Sequence, residues 1–153
     1  MNIDLVKYIS PKRFDFMAKY LYIKFRELGT NTPFYYNLYC EHIRTFNNGW
    51  EYPGTKTKIE DFIKSFDNLI LNIKNNGFDK KYSIPINTSN MIINGAHRLL
   101  TCYYHNEIPT FSLKNESAGE YNYNFFINRE KYGALPQSGK PPNLKGFMRI
   151  EWH

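Results

Sequence analysis

Residues 84–111 read IPINTSNMIINGAHRLLTCYYHNEIPTF, and the order of apolar runs and turn residues in this stretch decides the fold. Ile84-Pro85-Ile86 and Met91-Ile92-Ile93 flank Asn87-Thr88-Ser89-Asn90, four turn-forming residues, so the spacing predicts a hairpin or a closely spaced strand pair. Asn94-Gly95 breaks the second strand, Ala96 to Tyr104 reads as a helix, and Glu107-Ile108-Pro109 leads into a further strand ending near Phe111. Gly95 permits a tight bend, and the helix that follows it presents backbone N–H groups without intrahelical partners. His97 and Arg98 stand beside those donors. Together they form a natural seat for an anion. The competing reading is a packed corner in which His97 fills a hydrogen-bonding role and Arg98 pairs with a carboxylate.

A chain of 153 residues that is 42% hydrophobic can bury one substantial core, so a single domain over residues 1–153 is expected. Thirteen Tyr and twelve Phe imply a core completed by aromatic rings, with tyrosine hydroxyls left to find partners. The net charge of +6 favours a nucleotide, a sugar phosphate, nucleic acid or an anionic membrane as partner, without choosing among them. The basic residues are scattered among acids and aromatics, unlike a nucleic-acid-binding arm. Cys40 and Cys102 lie far apart with no CxxC spacing, which supports neither a cysteine-rich zinc site nor a disulfide scaffold and predicts reduced, buried thiols. No hydrophobic leader opens the sequence, so a soluble cytoplasmic protein is the expectation.

The flanks are predominantly helical by periodicity. Met1 to Tyr8 reads as a short strand or ordered arm. Phe14, Met17, Leu21, Phe25 and Leu28 form one apolar stripe on a helix stopping near Gly29, with Asp15, Lys19, Lys24, Arg26 and Glu27 on its other faces. Pro33 opens a second helix that buries Tyr35, Leu38, Tyr39, Ile43 and Phe46 and ends before Asn47-Asn48-Gly49. On it, Glu41 can pair with Arg44 or reach across a cleft as an acid or base, and His42 has the same two options. The loop at 49–56 holds Trp50 and Tyr52, which can pack or stack on a ligand, and Lys56 and Lys58 can add phosphate contacts. Gly54-Thr55-Lys56-Thr57 lacks the GxxxxGK[ST] spacing of a P-loop. Ile59, Phe62, Ile63, Phe66, Ile70 and Ile73 mark a long helix capped by Thr57 and stopped by Gly77, with Glu60 and Asp61 stabilising its first turn ahead of any metal or proton-transfer role. Tyr121, Tyr123, Phe125 and Phe126 suit a strand, a packing segment or a helical turn. Gly133 through Pro142 reads as a loop, and Phe147 to Trp152 as an edge strand or docked tail.

Asn94-Gly95-Ala96-His97-Arg98-Leu99-Leu100, preceded by Met91-Ile92-Ile93 and followed by His105-Asn106-Glu107-Ile108-Pro109, resembles the strand-GxHR-helix-strand signature of the ParB/sulfiredoxin superfamily. The resemblance covers Ile84 to Phe111. It implies an α/β fold: a compact ParB/sulfiredoxin-like domain with an N-terminal helical region and a phosphate-site core at 84–111. In sulfiredoxin a reactive cysteine precedes the His-Arg pair; Ala96 stands there in this chain, which removes the nucleophile for sulfinic-acid repair. The superfamily also contains ParB nucleotide switches and free-serine kinases. By that likeness Asn94, Gly95, Ala96, His97 and Arg98 would bind the phosphates of ATP or ADP, with Mg²⁺ as a companion ion. A nucleotide-dependent phosphotransferase acting on a small hydroxyl compound is the leading expectation. His97 and Arg98 would then act on phosphate, and Glu41, supplied by the helix reading and not by the motif, would serve as acceptor base. The alternative is a nucleotide- or nucleic-acid-binding module without turnover.

Overall fold

A computed structural model of the chain describes residues 4–10, 12–29, 33–47 and 55–131. A 3-10 turn at Leu5–Tyr8 leads into α1 (Phe14–Leu28), α2 (Pro33–Asn47) and α3 (Ile59–Asn76); β1 (Ile84–Ile86), α4 (Ala96–His105), β2 (Phe111–Leu113) and α5 (Tyr123–Lys131) follow. The result is a helix-rich mixed architecture with one small parallel sheet, compatible in its broad class with α/β. The expected roles of Trp50 and Tyr52, the loop at Gly133 to Pro142 and the tail at Phe147 to Trp152 lie outside the described residues.

The hairpin forms, but in reduced size. Asn87 builds the turn by accepting the N–H groups of Ser89 and Met91 on its side-chain oxygen at 2.9 and 3.0 Å, and Asn90 takes the left-handed conformation at φ 59° that asparagine tolerates. Asn87 N–H donates to the Met91 carbonyl, Ile93 N–H donates to the Pro85 carbonyl, and Ile86 bridges Ile92. Asn94-Gly95 then turns the chain away, so the hairpin has a single bridge. The regular partner of β1 is β2, parallel, with Ile84 opposite Phe111 and Ile86 opposite Leu113. The third strand therefore begins at Phe111, where it was expected to end. Pro109 has no N–H to give a ladder, which leaves the approach to Phe111 irregular.

Helix α1 departs from the expected one-sided stripe because it packs against α2 on one side and α4 on another. Phe16 and Ile23 are fully buried, whereas Leu28 is exposed. Asp15 and Lys19, expected on polar faces, are buried as well. Asp15 Oδ1 accepts from Arg13 Nε at 2.7 Å, and its Oδ2 accepts from Arg13 Nη2 and Lys19 Nζ, each at 2.8 Å. Burial alone would raise the Asp15 pKa, but Lys19 and Arg13 outweigh it and hold the carboxyl well below the usual carboxylate range. Burial pushes the Lys19 ammonium down, with Asp15 opposing. Arg13 also donates to the Ile92 carbonyl at 3.2 Å and lies between the rings of Phe16 and Tyr121, 4.4 and 4.8 Å away.

Helix α3 buries Phe62, Phe66, Ile70 and Ile73 at helical spacing. Its N-cap is Lys58 and not Thr57, while Asp61 accepts the Thr57 and Lys58 N–H groups at 3.0 and 3.2 Å, so the acid secures the helix start. Glu60 is exposed. Gly77 ends the helix at φ 77°. The aromatic segment after Glu120 resolves as a helix, with Phe126 buried and Phe125 against Phe46 and Tyr121. Cys40 and Cys102 are buried free thiols, and burial pushes Cys102 up to about 12. Among the described residues, no helix is long and apolar enough to cross a membrane.

Candidate phosphate-binding cleft

The strand-to-helix corner opens onto a cleft of about 540 Å³ between α3 and the start of α4. Its apolar lining comes from Phe62, Phe66 and Leu69, with the ring of Tyr39 beside them. Asn94, Gly95, His97 and Arg98 form one wall, Ser65, Asn68 and Asn72 of α3 the other, and Lys56 enters from the segment before α3. A volume of this size suits a nucleotide or a sugar phosphate.

Gly95 sits at φ 90° and ψ 25°, a left-handed conformation that glycine adopts without strain, and no side chain caps α4. Its N–H donates to the Asn94 side-chain oxygen at 2.7 Å, and the Asn94 amide nitrogen adds donors beside it. Arg98 folds back over the glycine: a Cβ at residue 95 would lie 2.7 Å from Arg98 Nη2. Arg98 Nη1 donates to the Tyr82 carbonyl, which anchors the half-buried guanidinium at the cleft with Nε and Nη2 above Gly95. The expected carboxylate partner for Arg98 is replaced by a backbone oxygen.

His97 Nε2 and Tyr39 Oη are 2.9 Å apart, and the imidazole stands edge-on to Phe66 with ring centroids 4.5 Å apart. Burial holds the His97 pKa well below its ordinary value, helped by the positive charges of Lys19 and Lys56, so the ring is neutral at pH 7. Burial likewise raises the Tyr39 pKa, and the hydroxyl keeps its proton. His97 is thus a neutral, oriented hydrogen-bonding group and not a cation for phosphate. Thr101 reinforces the turn by donating to the His97 carbonyl at 2.7 Å.

Of the other residues singled out by sequence, Ala96 is buried in the core, and its part in the site is limited to the backbone at the helix start. Glu41 does not line the cleft; it pairs with Arg44, the local alternative weighed for it. Glu60 and Asp61 do not line it either. His42 is buried among Tyr39, Phe46 and Phe126, with no hydrogen-bond partner for either nitrogen among the described residues. Tyr39, Ser65, Asn68 and Asn72 escaped the sequence reading as site residues. The three on α3 follow a helical spacing that could have marked them as one neutral stripe.

The lining is rich in donors and poor in negative charge. Lys56 and Arg98 contribute cations, no Asp or Glu lines the cleft among the described residues, and the Asn72 side-chain oxygen already accepts from Asn76 at 2.7 Å. Nor do three His, Cys, Asp or Glu side chains converge anywhere among them to hold a metal. Comparisons with known proteins return no significant match to any family model, curated protein or solved structure.

Proposed function

We propose that the cleft binds the phosphates of a nucleotide and that the chain acts as a nucleotide-binding module. The observation that carries this reading is the donor-rich lining: Arg98 fastened over Gly95, with Lys56 and the Asn94 amide among the residues around it. An anion with several acceptor oxygens satisfies such a surface, and a cation does not. The uncapped start of α4 adds backbone donors on the same side.

Phosphoryl transfer to a small hydroxyl compound is the second reading, favoured by the oriented Tyr39–His97 pair at the edge of the same cleft. It requires a group to take the acceptor proton, and Glu41 is placed elsewhere, engaged with Arg44. Binding without turnover therefore stands first.

The test is calorimetric titration with ATP, ADP, CTP and inorganic tripolyphosphate, with and without Mg²⁺. Arg98→Ala should weaken nucleotide binding at least about tenfold, as expected for a charge-assisted contact, while Lys80→Ala at an exposed site should leave it unchanged. Equal affinity in the Arg98 variant, with the fold intact by circular dichroism, would remove the cleft from the binding site. Mass spectrometry of a metabolite library incubated with the protein and ATP separates the two readings, since only the second yields a phosphorylated product.

A further inference from the structure

The wall of the cleft opposite Arg98 differs in kind from the basic one. Ser65, Asn68 and Asn72 recur on α3 at intervals of three and four residues, which places them on one stripe of about 10 Å at 1.5 Å rise per residue. No charged group of the same helix lines the cleft: Asp67 accepts from the Tyr22 hydroxyl at 2.6 Å and pairs with Arg26, Lys74 pairs with Glu27, so both tie α3 to α1, and Glu60, Asp61 and Lys64 are absent from the lining. The cleft-facing stripe is therefore neutral. Its hydrogen-bonding capacity is also directional. The Asn72 oxygen accepts from Asn76 while its nitrogen stays a donor, and the Asn68 amide and the Ser65 hydroxyl, with no partner among the described residues, offer both a donor and an acceptor.

We infer that Ser65, Asn68 and Asn72 read the hydroxyl groups of a sugar joined to the bound phosphate, so that the ligand is a phosphorylated sugar and not a phosphorylated amino acid. This inference rests on the phosphate reading of the basic wall. Sugar hydroxyls donate and accept at once, as the Asn68 amide and Ser65 hydroxyl do, and neighbouring hydroxyls match a side-chain amide in a two-point contact. A zwitterionic amino acid would bring an ammonium group for which the described lining offers no carboxylate. Two sources can supply the sugar, a nucleotide through its ribose or a free sugar phosphate, and both present the same chemistry.

The experiment titrates the full chain with ATP, 2′,3′-dideoxy-ATP, ribose 5-phosphate, O-phosphoserine and tripolyphosphate, in parallel with the Asn68→Ala variant. Loss of the ribose hydroxyls should weaken ATP binding by about tenfold, because the hydrogen bonds they make to the α3 stripe are lost. In Asn68→Ala the preference for ATP over its dideoxy form should fall to near unity, while tripolyphosphate binding stays as in the parent. If ribose 5-phosphate is the tighter ligand and exceeds O-phosphoserine, the source is a free sugar phosphate; if ATP is tighter and discriminates against its dideoxy form, the source is a nucleotide. Either result supports the inference. Equal binding of ATP and dideoxy-ATP, together with ribose 5-phosphate no tighter than O-phosphoserine, overturns it. Tripolyphosphate tells the two failures apart: if it binds, the phosphate reading survives the loss of the sugar wall, and if neither it nor any nucleotide binds, both fall.

Discussion

Replacing His42 by Phe should stabilise this protein, although it removes a polar side chain from a cluster of buried polar groups. His42 is 6% exposed, and neither ring nitrogen makes a hydrogen bond of normal geometry among the described residues, the Tyr39 backbone offering only a weak contact. An unsatisfied buried polar group costs about 1–3 kcal/mol, and the rings of Tyr39, Phe46 and Phe126, with centroids 5.8–5.9 Å away, form an aromatic site of suitable shape for phenylalanine. A gain of roughly 1–2 kcal/mol at pH 7 is expected, or about 3–6 °C in melting temperature at the scale of a 150-residue domain. The pH dependence gives a second signature. Burial, aided by the nearby charges of Lys19 and Arg13 and opposed by Asp15, pushes His42 down to about 3. The unfolded chain binds a proton as pH falls through about 6.5, and the folded chain refuses it until about 3. His42 thus contributes a loss of about 1.4 kcal/mol of stability per pH unit across that window, full stability being present above it. Urea unfolding followed by circular dichroism at pH 7 and pH 5 should show the variant more stable at both, with a gap roughly 2 kcal/mol wider at pH 5. His97 has the same sign and should leave a residual slope in the variant. A variant less stable than the parent at pH 7, with an unchanged gap at pH 5, would refute the assignment of a neutral, unpartnered His42.

Three further outcomes are expected. Asp15→Asn leaves Arg13 and Lys19 buried without their counter-charge and should cost about 3–5 kcal/mol, read as a lowered urea midpoint. Since the Asp15 pKa is depressed in the fold, its contribution is present above the ordinary carboxylate range and is lost as pH falls below about 4, so the parent and variant curves should converge in acid. Gly95→Ala imposes a side chain at φ 90° and displaces the Arg98 guanidinium; a loss of about 1–2 kcal/mol should accompany weaker nucleotide binding, checked by melting and calorimetry. Tyr39→Phe strips His97 Nε2 of its partner and should cost about 1–2 kcal/mol, with a change in the His97 ring ¹⁵N shifts that a purely packing role would not produce.

The helices were legible in the sequence because their apolar residues recur every three or four positions and glycines mark their ends: Gly29 and Gly77 stop α1 and α3 as their positions suggest. The Gly95-Ala96-His97-Arg98 corner was legible for the same local reason. What could not be read locally was pairing. Whether Ile84–Ile86 joins Ile92 or Phe111 as its main partner depends on the crossover through α4, and the sequence pattern favoured the nearer strand. Asp15 and Lys19 were assigned to solvent since charge ordinarily marks a helix's wet face, yet α1 is covered on two sides and the charges neutralise one another inside. The site was half visible. Motif residues announced the basic wall, whereas Tyr39 arrives from a distant helix and the α3 stripe has an ordinary polar composition.

Arg13 bears on how far the central stretch can be treated as portable. Its guanidinium binds the carboxylate of Asp15 on α1, the carbonyl of Ile92 in the hairpin, and the faces of Phe16 and Tyr121, so one side chain joins three distant parts of the chain. The β1–α4–β2 segment therefore owns neither all of its polar closure nor its core, because α4 lies against α1 and α3. A fragment of residues 84–113 would expose Leu99 and Leu100 and leave the Ile92 carbonyl without its donor. The Gly95–Arg98 corner cannot be grafted or excised as a cassette; it exists only as a property of the whole helical assembly that surrounds it.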